Sequence, residues 1–131
     1  MKLGLQIILG VLSLIPVYFG LLGITQGTAQ FMPADQVVPE LDNQFRYWSG
    51  FYLLLAFLLW WAIPNIERHT TILRLVCAAL VIGGLSRLVS HLTVGPGNEQ
   101  QFGGMILEIG SVVFLPWQAR VARDAEVQAA A

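Results

Sequence analysis

Arg87, His91 and Glu108 stand in two otherwise apolar segments joined by a Gly-Pro-Gly turn, in the stretch GGLSRLVSHLTVGPGNEQQFGGMILE, residues 83–108. A charge inside a hydrophobic span costs about 2.5–3.5 kcal/mol on insertion scales, so it faces a partner or a water-filled cavity and marks a site by default. Arg46 lies near the start of another apolar segment, which makes two arginines and a histidine against one acid. If Glu108 neutralises one arginine, positive charge remains for an anionic or carbonyl-bearing group. Nucleophilic catalysis fits poorly. Ser90, His91 and Glu108 supply the residue types of a triad, but neighbours on a helix point about 100° apart and do not readily pair as nucleophile and base. Haem held by two histidines of one chain is excluded, because His69 and His91 are 22 residues apart, roughly 33 Å along a helix. Cys77 is the single cysteine, so there is neither a disulfide framework nor a thiol cluster for a metal. No catalytic residue, metal or cofactor is assigned.

The elements that carry these residues follow from composition. With 131 residues, 56% of them hydrophobic and 11% charged, the chain has too little charged surface for a soluble globule and reads as one membrane domain, 1–131. A net charge of −1 with scattered Lys and Arg argues against nucleic acid. The expected class is all-α, a four-transmembrane-helix bundle with helices at about 3–25, 43–64, 70–93 and 102–118. The first apolar run is longer than the 7–15 residues of a signal peptide and is read as a retained span, kinked at Pro16. An outer loop covers 26–42, Asp42 or Asn43 caps the second helix, Pro64 closes it, and the tail 119–131 is frayed or interfacial. Trp48, Trp60 and Trp61 fit aromatic belts at its two ends.

Lys2, Arg68, Arg74, Arg120 and Arg123 fall on one side of this arrangement, against Arg46 and the embedded Arg87 on the other. The positive-inside rule therefore puts both termini in the cytoplasm. At 1.5 Å per residue, Arg46, Arg87 and Glu108 then share a layer within roughly 10 Å of the outer boundary. Helical spacing places Cys77, Leu80, Gly84, Arg87 and His91 on one stripe, Gly104, Glu108 and Ser111 on a second, and Arg46, Gly50, Leu53 and Phe57 on a third. Arg46, Arg87, His91 and Glu108, with Tyr47 and Ser90, form the expected polar cluster, bordered by Gly50, Gly83, Gly84 and Gly104 as helix-packing positions. Glycines opposite charges permit either close helix contact or room for a guest. Phe45, Tyr47, Phe51 and Phe102 would supply apolar walls to such a pocket.

Three stretches, NQFRYWSGFYLLLA, GGLSRLVSHLTVGPG and MILEIG, together resemble a group of small four-helix bacterial membrane proteins, the domain of unknown function 4345. The likeness runs over about residues 5–118. Its motifs fall on Arg46, Tyr47 and Gly50, on Gly84, Arg87 and Leu88, and on Glu108. The resemblance implies an integral inner-membrane protein with no assigned activity. Two classes of function follow from the residues. One is a non-enzymatic binding or accessory protein, partnered by membrane lipids and by a small amphipathic ligand, a larger membrane complex or further copies of itself. The alternative is a membrane-embedded enzyme doing isomerase-like acid/base chemistry on an apolar substrate. Such chemistry calls for two titratable groups of different pKa, and the spans contain one carboxylate.

Overall fold

Four stretches of this chain are helical and apolar over a length that crosses a bilayer: Lys2–Gln30, Pro39–Asn65, Thr70–Thr93 and Glu99–Ala130. In the computed structural model, which describes residues 1–130, 88% of the chain is helix and no strand occurs among those residues. At most 28% of any apolar window is buried. Phe57, Leu75, Ile82, Val89 and Ile106 all point outward. An apolar surface this continuous is tolerated only where the solvent is hydrocarbon. The chain is a multi-pass membrane protein.

Prolines set the breaks. The first span consists of α1 (Lys2–Leu12) and α2 (Leu14–Gln26). Pro16 has no N–H to offer the Leu12 carbonyl, and at the break the Ser13 hydroxyl donates to the Gly10 carbonyl at 2.7 Å. The second span is α3 (Pro39–Ala62), four residues longer at its start than the sequence suggests. Val38 is its extended N-cap and Pro39 its first residue, a position where proline's fixed φ suits a helix and its missing N–H costs nothing. Asp42 and Asn43, expected as caps, therefore lie inside the helix. Then come α4 (Thr70–Thr93), α5 (Glu99–Gly110) and α6 (Phe114–Ala130). The tail expected to fray continues α6 as helix to Ala130. A 3₁₀ turn at Ser111–Val113 joins α5 to α6, because Pro116 cannot bond the Val112 carbonyl. The start of α5 is fixed by a capping box, with Gln101 N donating to Asn98 Oδ1 at 2.9 Å and Asn98 N to Gln101 Oε1 at 3.2 Å.

The chain divides into two compact units, one of Ile7–Ile63 and one of Met1–Gln6 with the chain from Pro64 onward. In the first, α2 packs on α3 through glycine. A Cβ on Gly23 would lie 2.1 Å from Ser49 Oγ, and one on Gly20 would lie 2.7 Å from Leu53 Cγ. The same unit is tied at its other end by Trp60, whose indole N–H donates to Ser13 Oγ at 2.7 Å.

In the second unit α4 and α5 form an antiparallel hairpin. A Cβ on Gly84 would meet Ile109 Cγ1 at 2.7 Å, so the backbones touch there. Leu73, Val76, Cys77 and Met105 are buried. Gln118, 2% exposed, donates to the Ile66 carbonyl at 3.0 Å and to Thr70 Oγ1 at 2.7 Å, which holds α6 against the start of α4. At the same end Lys2 Nζ lies 2.9 Å from Glu67 Oε2.

Candidate functional site: the turn end of the α4–α5 hairpin

The polar residues anticipated from the sequence fall into two groups. In the unit of α4 and α5, Glu108 is 6% exposed and its Oε2 accepts from Arg87 Nε at 2.9 Å. The pairing follows from register: both residues face the seam opened by Gly84. Ser111 Oγ donates to the Glu108 carbonyl at 2.7 Å, and Cys77 Sγ lies 3.5 Å from the Ser111 carbonyl. The stripe of Cys77, Gly84 and Arg87 thus meets the stripe of Glu108 and Ser111, as their spacing predicts.

Above this pair, toward the turn, lies an open cleft of about 350 Å³. Arg87, Ser90 and His91 line it from α4, and Gln101, Phe102 and Met105 from α5. The turn itself closes one side, with Gly95 at φ 132°, a conformation that a residue bearing Cβ rarely adopts. Arg87 is 42% exposed along its side chain; its Nε serves Glu108, and a guanidinium carries five N–H donors in a planar fork. His91 sits one turn beyond Arg87, with its ring 5.7 Å from that of Phe102 at 38°. The cleft therefore offers a cation, an imidazole, a hydroxyl and an amide over an apolar floor of Phe102 and Met105. Gln101 and Met105 are additions that helix stripes alone did not supply. Gln101 was legible as half of the Asn98 capping box, whereas Met105 shows no sign of its role in the sequence.

Arg46 is engaged elsewhere. In the unit of α2 and α3 its Nε donates to Asp42 Oδ2 at 2.6 Å, while Nη1 donates to the Ile24 carbonyl and, at 3.2 Å, to that of Thr25. These are carbonyls at the C-terminal end of α2, where a cation complements the helix dipole. Asp42 Oδ1 in turn accepts from Thr28 N at 2.7 Å and Thr28 Oγ1 at 3.0 Å. Gly27, at φ 58°, lets the chain pass, since a Cβ there would lie 2.0 Å from Asp42 Oδ1. Arg46 is thus a cap for α2. Asp42, which by its position in the sequence is expected to cap the second helix, is instead the acid that Arg46 meets. Tyr47 does not join the polar groups either. It is exposed, its ring 4.9 Å from Phe51 and 5.4 Å from Trp48 in an outward aromatic cluster.

The glycines separate in the same way. Gly84 is a contact point, and Gly83 has Glu108 Oε2 at 3.9 Å from the place of its Cβ; nothing lies within 4 Å of a Cβ at Gly50, Gly103 or Gly104. Gly50 and Gly104 are therefore not close-packing positions in this structure. Among the described residues no group of three His, Cys, Asp or Glu side chains is placed to hold a metal ion.

No curated protein and no solved structure matches the chain. One family does, described as Domain of unknown function (DUF4345), whose sequence profile matches residues 4–118. The match takes in the Arg87–Glu108 hairpin, the Arg46–Asp42 cap, the second and third spans whole, and the first and fourth in part, and the chain belongs to this family of unknown function.

Proposed function

We propose that the protein is a non-enzymatic binding protein of the bacterial inner membrane, holding the negatively charged or carbonyl head of an amphipathic molecule in the cleft between α4 and α5. The observation that carries this reading is the half-exposed Arg87, anchored by Glu108 through Nε and lining an open space with Ser90, His91 and Gln101. A few convergent polar groups above an apolar floor are the usual composition of a small-molecule site. Arg87 and Glu108 balance in charge, but the guanidinium N–H groups beyond Nε, together with Ser90 and Gln101, favour a head that accepts hydrogen bonds, as a carboxylate or carbonyl does.

Both termini are taken as cytoplasmic, with residues 26–42 and 94–101 outside. The basic residues Lys2, Arg68, Arg74 and Arg120 support this, since they belong to the end of the second unit where Lys2 meets Glu67 and Gln118 meets Thr70. The cleft is toward the far end of α4: Arg87 and His91 are 17 and 21 residues from Thr70, roughly 26–32 Å at 1.5 Å per residue. It would then open to the outer leaflet. Single cysteines replacing Gln36 and Ala129, in a Cys77→Ala background, should differ toward an impermeant maleimide on spheroplasts: labelling at 36 and none at 129.

Binding is tested with oleate and oleyl alcohol, which share a chain and differ in the head, added to the detergent-purified protein and read by native mass spectrometry. Oleate should be retained and the alcohol lost. Ser90→Trp, which fills the cleft from an exposed position, should abolish oleate retention without lowering the melting temperature. Unchanged retention in that variant sinks the reading and favours docking of a protein partner.

A further inference from the structure

We infer that α6 carries a second, separate binding site, for the phosphate of an anionic glycerophospholipid, at the end of the second unit opposite the α4–α5 cleft. The site is an open cleft of about 420 Å³ lined by Met1, Val113, Pro116, Trp117 and Arg120. Spacing along α6 and the turn that precedes it arranges these in a vertical order. Val113, Pro116 and Trp117, and Arg120 succeed one another at intervals of three or four residues, so they stack along one face. Toward the membrane interior the face is aliphatic, then it presents an indole, and one turn further it presents a guanidinium. A phospholipid lying against the protein has the same order: acyl chain, ester and glycerol region, phosphate. Trp prefers the middle level for the same reason, having an apolar body and one N–H donor.

Charge decides in favour of an anion. The nearby Lys2 is already matched with Glu67 at 2.9 Å, so that pair contributes no net charge. Arg120 is exposed and makes no ion pair among the described residues, although Asp124 follows one turn later on the same helix. A guanidinium gives a phosphodiester two parallel N–H donors, a geometry an ammonium cannot reproduce. The Trp117 ring is held in place from behind by α1: a Cβ on Gly4 would lie 3.5 Å from Trp117 Cζ2. The wall of the cleft is thus built, with its indole packed against backbone. Because Arg120 and the cleft of Arg87 lie at opposite ends of the second unit, this inference stands whether or not the α4–α5 cleft binds an amphiphile.

The test uses the full chain in mild detergent with equimolar dioleoyl phosphatidylglycerol and dioleoyl phosphatidylcholine, scored as bound lipid by native mass spectrometry. One interfacial cation is worth about 1 kcal/mol toward an anionic lipid, so wild type should favour phosphatidylglycerol about fivefold. Arg120→Gln should bring the ratio close to one, and Arg120→Lys should leave it in between. Arg123→Gln removes the same charge from a neighbouring face and should retain the preference. Glycerol 3-phosphate, which has the head without the chains, should fail to displace the bound lipid. An unchanged ratio in Arg120→Gln overturns the site, and so does an equal loss in Arg123→Gln, which would reveal diffuse attraction. Displacement by glycerol 3-phosphate would overturn the lipid in favour of a plain anion site.

Discussion

Glu108 and Arg87 are joined at 2.9 Å, yet one is 6% exposed and the other reaches solvent along 42% of its side chain. The two halves of this ion pair are therefore unequal. Arg87→Leu removes the cation paired with a buried carboxylate and should cost about 3 kcal/mol, near the value for breaking a buried pair. Glu108→Gln leaves a cation that can turn to water, and should cost about 1 kcal/mol. The double variant should be less destabilised than the sum of the two. Thermal or denaturant unfolding in detergent measures the cycle, and strict additivity would show that the pair contributes nothing.

Glycine matters at the α2–α3 seam and not on α5. Gly23→Ala forces a methyl to within 2.1 Å of Ser49 Oγ, and a shift of that kind in a packed seam costs about 1–3 kcal/mol. Gly104→Ala meets nothing within 4 Å, and by stiffening the unfolded chain it should be neutral or stabilise by up to about 1 kcal/mol. Comparing the two melting temperatures tests the assignment; equal losses would contradict it.

The join between α2 and α3 depends on a backbone conformation and a carboxylate together. Gly27 is at φ 58°, and its Cβ would fall on Asp42 Oδ1, so Gly27→Ala should destabilise by at least about 1–2 kcal/mol. Asp42→Asn keeps one acceptor for Thr28 but loses the charge opposite Arg46. Because that charge-assisted hydrogen bond is lost, the melting temperature should fall below that of the wild type. Proteolysis of the segment 27–38 should quicken in both variants, and unchanged protection would separate the join from stability.

Acid should loosen the contact between Lys2 and Glu67. Hydrogen bonding from the Lys2 ammonium holds the Glu67 carboxyl below the ordinary glutamate range, with a backbone donor adding to the effect. A carboxyl lowered on folding stabilises the fold at pH above its unfolded value. That contribution fades as pH falls through the ordinary range to the folded value, where both states are protonated. The melting difference between wild type and Lys2→Met should accordingly be present at pH 7 and shrink toward zero as the pH drops below the glutamate range. A difference that grows on acidification would give the opposite sign.

Four spans, their approximate limits and the shared depth of Arg87 and Glu108 were legible in the sequence for a simple reason. In lipid every backbone polar group is satisfied within its own helix, so hydropathy alone sets the elements, and a charge in the third span needs a mate at the same depth in the fourth. The start of α5 was also written locally, in Asn98 and Gln101, as the start of α3 was in Pro39. Tertiary structure alone decided what each polar or small residue does at its level. Depth and helical stripe put Arg46, Arg87 and Glu108 in one layer, but neither measures who is nearest. Arg46 goes to Asp42 and the carbonyls ending α2, because Gly27 turns the chain so that those groups are within reach. Gly84 and Gly104 look alike as glycines beside charges, and only the approach of Ile109 to one of them makes it a contact. Depth along a helix is linear in sequence, whereas contact depends on the azimuth and separation of two helices, which packing sets.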